Sequence, residues 1–159
     1  MKNLRIPALC LCALLLSLVG SAQTTTNPVS GQDDNKPKLF SNLPDKIPVT
    51  NDQINALFDV QVGVSASLSL SANETKKFTG NVVSKANSNE KEGSLESVVV
   101  RSSNFNGATL TISKLISKDG TVSYVGRIIS FQHGDVYELQ NLNGTYTLVK
   151  RGFSDLVNE

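Results

Sequence analysis

From Val49 to Glu159 the chain contains no proline, and apolar and polar residues alternate there in run after run. Proline removes a ladder donor, so its absence over this length permits uninterrupted β pairing. The longest alternation sets Val60, Val62, Val64, Ala66, Leu68 and Leu70 against Gln61, Gly63, Ser65, Ser67 and Ser69. A period of two is the mark of a strand with one buried face. Six further runs read as strands: residues 77–84, 94–101, 108–116, 121–131, 136–142 and 145–150. Apart from a polar stretch at 85–93, the connections are short, whereas parallel crossovers need a dozen or more residues. The expected fold is mainly β, with α+β as the neighbouring class. It is a single antiparallel meander of about seven strands, forming a strongly twisted sheet or a small barrel, with one short N-terminal helix packed on it.

That helix is placed at residues 50–58. Thr50 with Gln53 three residues on has the form of a capping box. Ile54, Leu57 and Phe58 then fall at i, i+3 and i+4, on one face. Two glycine turns set strand registers. A two-residue Asn143-Gly144 loop pairs Leu142 with Thr145 and Leu139 with Leu148, which gathers Tyr137, Leu139, Tyr146 and Leu148 on one face. At Asp119-Gly120 the same rule scatters apolar residues over both faces. A three-residue loop, with Gly120 in the left-handed region, instead pairs Ile116 with Val122 and Lys114 with Tyr124.

The start of the chain reads as an address. Lys2 and Arg5 precede a 14-residue apolar run, Ile6 to Val19, which is short for a membrane span. Gly20-Ser21-Ala22 then offers small residues for cleavage. This layout predicts a signal peptide at 1–22, cut after Ala22, and a protein that is periplasmic or secreted. Residues 23–38 carry one large apolar residue, Val29, and read as a disordered polar tether. Residues 39–159 read as a single β-rich domain without a membrane span.

Both cysteines, Cys10 and Cys12, lie in the predicted leader, so the remaining chain has no disulfide. The full chain carries 15 basic and 14 acidic residues; without Lys2 and Arg5 the balance is 13 − 14 = −1. No basic run is present, so nucleic acid is not an expected partner. One histidine and no leader-free cysteine leave no zinc constellation to write, and no phosphate-binding glycine loop occurs, so no cofactor is expected.

Three sets of residues are candidate sites. His133 with Asp135, and Ser130 as a conceivable nucleophile, form the one arrangement with catalytic chemistry in it; the simpler reading is a hairpin tip. Tyr124, Phe131, Tyr137 and Tyr146 lie in the last strands and are candidates for lining a cavity, or for the core. Ser65, Ser67 and Ser69 make a narrow strand face that a partner or ligand can approach closely. The function expected first is a non-catalytic binding module of adhesion, inhibitor or envelope-assembly type, its partner a protein or a glycan. The alternative is a carrier of a small apolar ligand, and the third reading is a hydrolase using His133. An apolar cavity favours the carrier; a filled core favours the binder.

Overall fold

The computed structural model describes residues 36–71, 73, 75–90 and 93–156. The predicted leader and most of the predicted tether lie outside these residues. The described chain is mainly β: eight antiparallel strands form one curled half-barrel sheet with a single short α-helix. The strands are β1 (Lys46–Pro48), β2 (Ser65–Ser69), β3 (Lys77–Glu90), β4 (Gly93–Ser102), β5 (Thr109–Ser117), β6 (Val122–Ile129), β7 (Asp135–Leu142) and β8 (Thr145–Gly152). Helix α1 spans Asn51–Asp59, and a 3₁₀ turn, Phe153–Leu156, follows β8. In space the order is β1-β8-β7-β6-β5-β4-β3-β2. Strands β2 to β8 are therefore the expected seven-stranded meander. The eighth strand, β1, comes from the segment before the helix and adds to the far edge. The sheet does not close, since β1 and β2 are its two ends.

Local chemistry explains the elements. Thr50 caps α1: its Oγ1 accepts from the Gln53 amide at 3.2 Å, and Gln53 Oε1 accepts from the Thr50 amide at 3.0 Å. Ile54 and Leu57 are buried against the sheet. Asn143 and Gly144 both have positive φ, 53° and 86°, as a type I′ turn requires, and Leu142 pairs with Thr145. Gly120 has φ 81°, Ile116 pairs with Val122, and Lys114 pairs with Tyr124. Both registers are those that burial of one face demands.

Two stretches differ from expectation. The strand predicted at 60–70 is shorter at its start. Gly63 has φ 89°, and Val64 donates to the Gln61 carbonyl, so residues 61–64 turn. Val62 and Val64 are left 57% and 51% exposed. The polar stretch 85–93 is not a loop. β3 and β4 pair without a gap from Ser84↔Val99 to Glu90↔Gly93, beyond a bulge at Val83. No apolar alternation marks this ribbon because its tip leaves both faces in water. Backbone pairing extends it, with the Lys85 ammonium tied to the Phe58 carbonyl.

The concave side of the half-barrel is filled. Phe40, Ile54, Leu57, Leu68, Phe78 and Ile112 are all essentially inaccessible and belong to one cluster. Phe40 arrives from the segment before β1, and its ring lies 5.1 Å from Tyr137 and 5.5 Å from Phe105.

Candidate functional site

His133 sits in the β6–β7 turn and is half-buried. Its Nδ1 lies 2.8 Å from Ser130 Oγ, while its backbone amide donates to the Ser130 carbonyl. Ser130 is fully buried, so its hydroxyl is shielded from any substrate. Asp135 is almost as buried, and both its oxygens are engaged elsewhere. Oδ1 accepts from the Leu39 amide at 2.6 Å and Oδ2 from the Phe40 amide at 2.8 Å. A triad needs the carboxylate on the imidazole and the nucleophile open to the substrate. Here the serine and histidine brace a turn, and the aspartate ties the segment before β1 to the sheet.

The four aromatics are not brought together. Tyr124, Tyr137 and Tyr146 are core residues. Tyr124 and Tyr146 meet edge-on at 5.2 Å, and the Tyr146 hydroxyl accepts from the Tyr124 amide. The Tyr137 hydroxyl donates to the Pro44 carbonyl. Phe131 stands apart, 75% exposed, against the edge of Phe153. Burial, with the negative charges of Asp45 and Asp135 adding to it, pushes the Tyr137 hydroxyl well above its ordinary value of 10.0. The unfolded chain therefore releases this proton near pH 10 while the folded chain keeps it, and stability falls as pH rises beyond that point. In alkaline unfolding, Tyr137→Phe should flatten the loss above pH 10, at a cost of about 1 kcal/mol at neutral pH for the lost hydrogen bond. An unchanged alkaline limb in the variant would remove Tyr137 as its source.

Ser65 and Ser67 are exposed on β2, and Ser69 is buried with its hydroxyl donating to the Ser71 carbonyl. They lie on an edge strand, because β2 has β3 as its one paired neighbour.

The open end of the half-barrel carries a cleft that the sequence reading missed. Asn87 of β3, Glu96 of β4, Lys114 of β5 and Tyr124 of β6 stand directly opposite one another in successive ladders. Side chains alternate, so this row shares the concave side with Val98 and Ile112, two residues away on β4 and β5. Asn55, Phe58 and Asp59 at the end of α1 face it across about 640 Å³ of open space. The Tyr124 hydroxyl donates to Asn55 Oδ1 at 2.7 Å, and the Lys85 ammonium donates to the Phe58 carbonyl in the last turn of α1. A cation at that end complements the helix dipole. Asp59, Asn87, Glu96 and Lys114 make no side-chain hydrogen bond or ion pair with another described residue. Lys85 and Lys114 balance Asp59 and Glu96, so the cleft is polar without being strongly charged.

No family model matches this chain, and no curated protein or solved structure matches it either. Among the described residues, no group of three or more His, Cys, Asp or Glu side chains is placed to hold a metal ion. No described helix is long and apolar enough to cross a membrane. The Lys114–Tyr124 half of the cleft row was readable from the Gly120 turn. The Asn87–Glu96 half carries no such signal, because residues 85–93 lack apolar alternation and no turn sets the register of 94–101.

Proposed function

We propose that this chain is an exported, non-catalytic binding module that recognises a polar partner, a protein segment or a glycan, at the open end of its half-barrel. The observation that carries this reading is the filled concave face. Phe40, Ile54, Leu57 and their neighbours occupy the volume that a carrier of an apolar ligand would keep open. What the concave side offers is the cleft beyond the helix end, with Asp59, Asn87, Glu96 and Lys114 unengaged. Unpaired polar groups of both signs in a concavity are suited to directional hydrogen bonding with a ligand of little net charge. The hydrolase reading has less support, because Ser130 is buried and Asp135 is spent on the Leu39 and Phe40 amides.

Photo-crosslinking in cells that make the protein tests the site. A benzophenone amino acid at position 87 should yield a discrete adduct, and one at position 132, beside His133, should not. Adducts at 132 alone would move the binding site to the His133 turn.

Export belongs to the same proposal and rests on Lys2, Arg5, the apolar run to Val19 and Gly20-Ser21-Ala22. The intact mass of the protein recovered from the producing cell should correspond to a chain starting at Gln23. A mass that includes Met1 to Ala22 would contradict it.

A further inference from the structure

The cleft at the open end is small and of one chemical kind. Nine residues line it, whereas a protein partner of ordinary size engages about 20–30 residues on each side. The centre of a protein–protein interface is apolar or aromatic and is depleted in lysine, aspartate and glutamate. Here Asp59, Lys85, Glu96 and Lys114 belong to the lining itself, and Phe58 is the one aromatic residue in it. A space of about 640 Å³ is that of a small-molecule site.

The polar groups stand in a row that is not spent on itself. Glu96 of β4 and Lys114 of β5 are direct neighbours across the ladder, and Asn87 of β3 lies opposite Glu96 on its other side. Such neighbours are about 5 Å apart at Cβ, close enough for an ion pair. Glu96 and Lys114 are half-buried, yet neither makes an ion pair with a described residue. At the helix end the Tyr124 hydroxyl takes up Asn55 Oδ1, which leaves the Asn55 NH₂ as a donor. Across the strands the row presents an amide that donates and accepts, a carboxylate that accepts and an ammonium that donates.

Resting on the binding role proposed for this cleft, we infer that its ligand is a short stretch of neutral saccharide. A hydroxyl donates one hydrogen bond and accepts others. Two vicinal hydroxyls therefore give to Glu96 and take from Lys114 at once, which satisfies both charges without joining them. A sugar ring also carries an apolar C–H face, and half-buried Phe58 offers the surface to cover it. Lys85 and Lys114 offset Asp59 and Glu96, so a uronate or an amino sugar meets no net opposite charge.

Mass spectrometry of the adduct formed through a benzophenone amino acid at position 87 tests this. After tryptic digestion, fragmentation of the crosslinked peptide should release a series of neutral monosaccharide residues. An amino-acid series, or one containing uronic acid, overturns the inference and leaves the binding role of the cleft standing. No adduct at 87 overturns both. When the purified protein is crosslinked in a lysate, the yield should change less than twofold from about 50 to 500 mM sodium chloride, because a neutral ligand offers no ion pair to screen. A tenfold fall over that range marks a charged ligand and overturns the inference. Glu96→Ala and Lys114→Met should each lower the yield at least tenfold, since hydrogen bonds to charged groups are the stronger ones. Circular dichroism and melting temperature of both variants are checked against the parent. Yields within twofold of the parent in both folded variants overturn the inference as well.

Discussion

Gly80→Ala should destabilise the protein by about 3 kcal/mol or more, at the top of the usual range for overpacking. A Cβ at this position would lie 2.1 Å from the Arg101 carbonyl oxygen and 2.9 Å from Ser102 Cα. These are backbone atoms of the neighbouring strand, where Gly80 pairs with Ser102 and Asn81 with Arg101. No side-chain rotation relieves the contact; β4 itself has to move. Phe78 and Val82 flank the site in the core, so the displacement would also open buried packing. Gly120→Ala is the comparison. Gly120 has positive φ but open space around its would-be Cβ, and should lose only about 1 kcal/mol. Urea unfolding of the two variants separates strain from collision. A Gly80→Ala protein within 1 kcal/mol of the parent would show that β3 and β4 are not so closely apposed.

Asp135→Ala should cost about 3 kcal/mol and loosen the segment before β1. The carboxylate is 2% exposed and accepts from two backbone amides, Leu39 and Phe40. Charge-assisted bonds of this kind contribute more than neutral ones, and their removal strands buried donors. The consequence is not local, because Phe40 is a core residue that packs on Tyr137 and Phe105. Hydrogen exchange at the Leu39 and Phe40 amides should accelerate sharply in the variant. Asp135→Asn, which keeps one acceptor oxygen, should fall between. Unchanged protection of the Phe40 amide in Asp135→Ala would contradict the anchoring role. His133→Ala loses one bond to Ser130 and should cost about 1 kcal/mol.

Where burial and turn chemistry spoke together, the sequence was legible. Asn143-Gly144 and Gly120 fixed the β7–β8 and β5–β6 registers, since a one-residue slip would have turned Leu139, Leu148, Leu110 and Ile128 outward. Thr50 and Gln53 marked the start of α1. Legibility failed where structure rests on backbone pairing alone. The tip of the β3–β4 ribbon has no buried face, so Asn87 and Ser88 carry no pattern. β1 is three residues long and includes Pro48, which reads as a strand breaker until its outward position on an edge is known. The alternation from Val60 to Leu70 overstated β2, because Gly63 continues the pattern on paper while its left-handed backbone ends the strand. The cleft was invisible for a related reason. Asn55, Glu96 and Lys114 are ordinary surface residues in sequence, far apart, and become a site only when three ladders and a helix end align them.

Binding at that cleft, without use of His133, is the central claim, and affinity for the partner recovered by crosslinking tests it most directly. Lys114→Glu reverses the charge in the middle of the row and should weaken binding at least tenfold, about 1.4 kcal/mol. His133→Ala, folded and measured alongside, should stay within about twofold of the parent. The contradicting result is the reverse: Lys114→Glu binding as the parent does, and His133→Ala losing the partner.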